Sequence, residues 1–304
     1  MRLIFAGTPQ LAADVLLELS QVHQVVLVIT RKDSMIGRKR ELSPSPVARA
    51  AIALGLPIIK ANRIGESEEQ IIAKVDADLG VVVAFGAMIS DAALRAKDWW
   101  NVHFSLLPSW RGATPAQHTI LHGYGGGVSI FRLESKLDSG PIVGSRPVPN
   151  LPEETAGEYL SRLTAASVPL LLDCLERRPV PEDQHGEVSF APKFQLTDAK
   201  LEFSMTAPAL ERTVLAMNPE PGAWCTADGA RLKVLRAKAI DVADWPAIRE
   251  HALAVGRLLV HNGQVLVGCG GGTVLELKSV QPAGKREMSA SDWQRGSRNV
   301  LVLE

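Results

Sequence analysis

Short unbroken apolar runs alternate with helical patterns through the first half of the chain. Residues 3–6 (Leu-Ile-Phe-Ala) predict a strand, and 10–20 a helix with Leu11, Val15, Leu16 and Leu19 at helical spacing. A strand over 25–30 follows, then a helix over 46–55 with Pro at its start and Gly at its end. A short strand over 57–59 precedes a helix over 66–75. The run 79–84 (Leu-Gly-Val-Val-Val-Ala) is apolar throughout, as in a strand buried on both faces of a parallel sheet, and 100–104 is a further strand. Strands alternating with helices predict an α/β domain built on a doubly wound, mostly parallel sheet. An amphipathic helix over 155–175 closes it. From about residue 201 the texture changes. One helix over 208–217 is followed by strands over 222–226, 231–240, 256–260, 264–268 and 274–280, separated by glycine turns, which predict a small β-barrel. Residues 177–186 are rich in Pro and charge. The domains are therefore placed at 1–176 and 201–304, with a linker at 177–200.

The 304 residues suit two domains, and 46% apolar with 22% charged content excludes a disordered or fibrous chain. With 33 basic and 33 acidic residues the net charge is zero, which excludes a protein that coats nucleic acid through bulk charge. The 3 cysteines, Cys174, Cys225 and Cys269, lie far apart. They form neither a disulfide framework nor a zinc spacing, so a reducing cytoplasm is expected. The first apolar run is too short for a signal peptide. The longest, 79–89, is about half of what a spanning helix needs, so no membrane segment is expected. The turn after the first strand, Phe5-Ala6-Gly7-Thr8-Pro9, has a single glycine and lacks the dinucleotide fingerprint. The glycine triplets at 125–127 and 270–272 are not followed by Lys-Ser/Thr and read as turns rather than phosphate loops.

The segment richest in chemistry begins at Asn101. Asn101 and His103, two apart on a strand, share a face at the strand's end, and open α/β sheets bind ligands at the carboxyl ends of their strands. An amide donor beside an imidazole suits oxyanion stabilisation and proton transfer. The same pair also suits a turn-capping Asn and a backbone-bonded His. A second bias lies at 31–41, where five basic residues (Arg31, Lys32, Arg38, Lys39, Arg40) face two acidic ones (Asp33, Glu41). It reads either as a solvated loop or as a phosphate-contacting one. Residues 201–304 carry 12 basic and 11 acidic residues, so nucleic-acid contact there needs a local patch. Strict alternation puts Arg231 and Lys233 on one face of a strand and Arg236 and Lys238 on the other. His118 and His122 are one helical turn apart without a third ligand, and no metal site is expected.

Asn101-x-His103-x-Ser105-Leu106-Leu107-Pro108, followed by Trp110-Arg111-Gly112-Ala113-x-Pro115-x-Gln117, resembles the signature of the folate-dependent formyltransferases. The resemblance extends to residues 5–9, 43–47, 81–86 and 218–224, to Leu137-Asp138-Ser139-Gly140, and to Gln281-Pro282-Ala283-Gly284-Lys285-x-x-Met288. It implies a Rossmann-like catalytic domain followed by an OB-like barrel. It also implies Asn101, His103 and Asp138 as the catalytic trio, with 10-formyltetrahydrofolate as formyl donor. The folate site it implies is Phe85, Gly86, Ala87, Met88, Ser105, Pro108, Glu134 and Leu137. The implied acceptor is initiator methionyl-tRNA, contacted by Arg38, Lys39, Arg40, Lys285 and Arg286, and the enzyme is expected to be a cytoplasmic monomer. The alternative is transfer to an amino-sugar nucleotide or another small amine. Two positions depart from the family pattern: Phe104 stands where Gly or Pro is usual, and Lys136 where Gly is usual. A protonated His103 is expected to donate, with Asn101, to the developing oxyanion.

Overall fold

A computed structural model describes residues 1–36, 41–241, 253–297 and 300–304. The apolar runs become the middle of a seven-stranded sheet. Its strands are β1 (Arg2–Gly7), β2 (Gln24–Thr30), β5 (Ile58–Lys60), β6 (Leu79–Val83), β7 (Trp99–His103), β9 (Gly127–Arg132) and β10 (Ile142–Pro147). The order is β5-β2-β1-β6-β7-β9-β10. Pairings from β5 to β7 are parallel, while β9 and β10 add on antiparallel. All of β6 and nearly all of β1 are buried, which accounts for their continuous apolar sequence. The strand at 100–104 is thus one residue earlier than expected, and β9 and β10 extend the sheet beyond it.

Helices cover this sheet where the periodicity places them. Helix α1 (Gln10–Val22) buries Ala12, Ala13, Val15, Leu16 and Leu19. Helix α2 (Pro46–Ala53) starts at Ser45, whose Oγ accepts from the Ala48 amide at 3.0 Å. Gly80 of β6 sits opposite Trp99 of β7, and a Cβ there would lie 2.1 Å from the indole ring. Glycine therefore lets a fully buried tryptophan lie across the strand next to the one carrying the candidate site. The hairpin strands β3 (Ser34–Ile36) and β4 (Glu41–Ser43) flank the basic segment, and Met35 and Leu42 pair across it, both exposed.

The chain forms two compact units, neither continuous in sequence. The first is Met1–Pro115, Tyr124–Pro149 and Leu160–Pro192; the second is Ala116–Gly123, Asn150–Tyr159 and Lys193–Glu304. Much of the segment read as linker thus belongs with the first unit, where β11 (Phe190–Ala191) pairs with β8 (Arg111–Gly112). The second unit draws in two pieces from the middle of the sequence. Leu121 and Phe194 pack on its apolar core, and Gly157 lies so close to Pro219 that a Cβ would meet it at 2.7 Å.

The second unit is a curled antiparallel sheet. Its strands β12 (Trp224–Ala227), β13 (Ala230–Ile240), β14 (Leu258–His261), β15 (Gln264–Gly268) and β16 (Val274–Pro282) run in the order β12-β13-β16-β15-β14, and β17 (Met288–Ser289) pairs with β16. β12 and β14 are the edges. Residues 301–304 join them: Thr226 and Glu304 exchange backbone hydrogen bonds on one side, while Leu258 donates to Leu301 and Leu303 to Gly256 on the other. A register shift between Val234 and Ala237 corrects the alternation expected along β13. Leu232, Val234 and Ala237 all point inward, so the extra residue puts Arg231, Lys233, Arg236 and Lys238 on the outer side together.

Candidate active site

β7 ends at His103, and its register sets Asn101 against Val82 and Phe131 and His103 against Ser129. His103 is buried at 5% exposure. Its Nε2 lies 2.9 Å from the Trp110 carbonyl, its Nδ1 lies 3.8 Å from Asp138 Oδ2, and its ring meets Phe131 edge-on. A carbonyl only accepts, so Nε2 carries the proton and Nδ1 faces Asp138 with its lone pair when the ring is neutral. Asn101 is half-buried, and its amide has no hydrogen-bond partner among the described residues.

Burial pushes the His103 pKa below 6.5; Asp138 and the Trp110 carbonyl offset this in part. The resting ring is therefore neutral at pH 7. The protonated His103 expected as a donor is thus not the resting form of the ring. The sign of the linkage follows. His103 binds fewer protons folded than unfolded, so its contribution to stability is complete above pH 6.5 and is lost as pH falls through the lower folded value. A titration of the His103 ring by NMR should give a midpoint below 6.5, and Asp138→Asn should move it lower still by removing the anion that raises it. A midpoint above 6.5 in the intact protein contradicts this electrostatic picture.

Asp138 sits in a turn that sequence alone does not explain. It adopts φ +43°, unusual for a residue other than glycine, and Trp110 (φ +63°) and Ala84 (φ +45°) share this feature around the same strand ends. The Gly112 amide donates to Asp138 Oδ2 at 2.8 Å. Gly140 closes the turn where only hydrogen fits, since a Cβ would lie 1.8 Å from the Arg132 carbonyl oxygen. Lys136 takes part in the turn through its carbonyl, which accepts from Ser139. Phe104 is buried at 6% exposure, so its ring belongs to the core rather than to the site surface.

The residues proposed for folate divide into two sets. Met88 and Leu137 are exposed apolar side chains on the loops after β6 and β9, at 74% and 55% exposure. Gly86 and Glu134 are exposed and Ala87 half-buried. No hydrogen bond engages the backbone of Gly86, Ala87 or Met88 among the described residues. Exposed apolar surface beside unengaged peptide groups fits a flat, polar-edged ring. The other set is inward. Phe85 is core, with its carbonyl taken by Thr8 Oγ1. Ser105 is fully buried and donates to the Ser109 carbonyl, while Pro108 is buried with its carbonyl accepting from Ser189. These two hold the turn between His103 and Trp110 and present no surface.

Of the basic residues, Arg38, Lys39 and Arg40 lie outside the described residues. Lys285 and Arg286 are exposed between β16 and β17. Arg236 and Lys238 are not free: they pair with Glu158 and Glu153, and Arg236 holds the Glu158 carboxyl down at about 2. Arg231 stacks on Trp224 at 4.4 Å and, with Lys285 and Arg295, lines an open concavity of 540 Å³. Burial pushes the thiols of Cys174, Cys225 and Cys269 up to about 11, 12 and 12, so none is a nucleophile at neutral pH. Among the described residues no His/Cys/Asp/Glu group could hold a metal, and no helix is long and apolar enough to cross a membrane.

The Formyl transferase family matches residues 1–175, and the Formyl transferase, C-terminal domain family matches residues 193–298. The chain is 42% identical to the methionyl-tRNA formyltransferase of Acidothermus cellulolyticus over 98% of both chains. It is 43% identical to that of Paenarthrobacter aurescens over 97% of both. Its fold is similar to that of the N-formyltransferase from Helicobacter canadensis solved with folinic acid and dTDP-3-aminofucose: the TM-score is 0.66 at 15% identity, covering 92% of this chain and 98% of that one. With the strand-end Asn and His and the glycine-closed Asp turn in place, and with both domain families matched along its length, this chain belongs to the formyltransferase family.

Proposed function

We propose that this chain transfers a formyl group from 10-formyltetrahydrofolate to the α-amino group of methionyl initiator tRNA. The observation that carries this reading is the 42–43% identity, over nearly the full length of both units, to relatives named methionyl-tRNA formyltransferase. The donor would lie against Met88, Leu137 and the peptide groups of 86–88, and it supplies the formyl carbon. The chain's own groups do the rest. An α-amino group has a pKa of about 7.7–8.0, so a useful fraction is already the free nucleophile near neutral pH. As its nitrogen bonds to the formyl carbon, the carbonyl oxygen gains charge, and the unpartnered Asn101 amide can donate to it. The nitrogen must lose a proton, and the open Nδ1 of neutral His103 takes it. Asp138 then faces an imidazolium rather than a neutral ring. The bond from the formyl carbon to the folate nitrogen breaks, and that nitrogen recovers the proton from His103.

Formyl transfer should be assayed with charged initiator tRNA, charged elongator tRNA, uncharged tRNA and an amino-sugar nucleotide. Transfer to the first alone supports the reading. Transfer to the amino sugar and none to tRNA sinks it.

The tRNA body is assigned to residues 201–304, where the turn at Lys285 and Arg286 is one exposed basic part. Replacing both by alanine should raise the tRNA KM and leave folate binding intact. Each phosphate that is no longer neutralised should flatten the plot of log affinity against log salt by roughly 0.7–0.9. An unchanged salt slope would remove these two residues from the interface.

A further inference from the structure

Residues 176–192 fall between the two family matches, yet 176–192 belong to the first unit. Within them Gln184 has every side-chain donor engaged. Its Nε2 donates to the carbonyls of Asp138 at 2.9 Å and Gly140 at 2.8 Å. Its Oε1 accepts from the Arg111 guanidinium at 3.2 and 2.7 Å. Arg111 is buried at 8% exposure and has no carboxylate partner among the described residues. Its charge therefore acts on the Gln184 amide and strengthens that amide as a donor.

These hydrogen bonds close a ring. Trp110 holds His103 through its carbonyl, and Gly112 holds the Asp138 carboxylate through its amide. Arg111, between them in sequence, holds Gln184, and Gln184 holds the turn that carries Asp138. We propose that Gln184 is a positioning residue for formyl transfer, clamping the 138–140 turn to the 110–112 segment and so fixing Asp138 relative to His103. This rests on the reading of His103 and Asp138 as the catalytic pair. The left-handed backbone of Asp138 is the kind of conformation that persists only where surrounding bonds hold it, and Gln184 bonds that residue's own carbonyl.

Kinetics on the full chain test the clamp. Gln184→Leu removes all its hydrogen bonds. Gln184→Glu keeps, and strengthens, the pairing with Arg111 but cannot donate to the two carbonyls. Both should lower kcat about ten- to a hundredfold with little change in the KM of either substrate, the expected result of misplacing a reacting group by an ångström or less. Thermal melting of the Gln184→Glu protein checks that it is folded. Because Gln184 acts through Asp138, adding Gln184→Leu to Asp138→Asn should produce no further loss. Wild-type kcat in Gln184→Leu, recovery of kcat in Gln184→Glu, or multiplied losses in the double variant would each overturn the clamp. Wild-type turnover of Asp138→Asn alone would instead overturn the reading of Asp138, and the clamp with it.

Discussion

His103→Ala is expected to lower kcat about 10²–10⁴-fold while both substrates still bind, because the open Nδ1 is the one base placed beside Asp138 at the end of β7. Asn101→Ala should cost about 2.7–4 kcal/mol of barrier, the usual loss when one donor to a developing oxyanion is removed. The two side chains are proposed to act in the same step, one at the oxygen and one at the nitrogen, so the double variant should lose less than the product of the single losses. Melting temperatures separate chemistry from folding. His103 is buried, and alanine there removes its hydrogen bond to the Trp110 carbonyl, so some stability loss is expected. Asn101 is half-buried and its side chain has no hydrogen-bond partner among the described residues, so its removal should leave the melting temperature nearly unchanged. Near-normal kcat in Asn101→Ala would remove it from the site.

Gly140→Ala should be nearly as damaging by another route. The added methyl would lie 1.8 Å from the carbonyl oxygen of Arg132 and 3.0 Å from its carbon. Backbone rather than a flexible side chain is in the way, so the turn must move. Forced overpacking of this kind costs about 1–3 kcal/mol, a drop of roughly 2–4 °C per kcal/mol in melting temperature for a unit of this size. The displaced turn carries Asp138, so kcat should fall with the melting temperature, whereas Gly→Ala at the open position Gly296, whose φ is not positive, should change neither much. A Gly140→Ala enzyme with normal kcat would show that the turn can relax without moving the carboxylate.

How much of this was legible in sequence depends on which force fixes each part. The central strands and the helices over them follow hydrophobic period, and β1, β2, β6 and α1 lie within a residue or two of where the period puts them. The candidate trio followed from a motif, since each side chain sits in a distinctive run of neighbours. Gln184 leaves no such trace. Its segment has no apolar period, only prolines and charges, and it is held by hydrogen bonds to carbonyls that any residue could offer. Composition read it as linker for that reason. Likewise, nothing in Leu121 or Gly157 announces that their segments pack with residues 193–304. The bulge that reunites Arg231, Lys233, Arg236 and Lys238 is one unpaired residue, and counting alternate positions cannot detect it. The His103 proton was also hidden, because its affinity is set by burial, by Asp138 and by the Trp110 carbonyl, and the spacing of residue types reports neither the burial nor these distances.

The seam at residues 301–304 bears on how the second unit comes to be made. Those residues bond Thr226 on the outer side of β12 and Leu258 at the start of β14. They also follow every strand of that unit in chain order, and so leave the ribosome after all of them. Until they arrive, two strand edges are open at once, and open edges are templates for pairing with other chains. Translation that stalls just short of residue 301 should therefore release a species that has most of its core yet sticks to itself. Chains that have docked these residues should not.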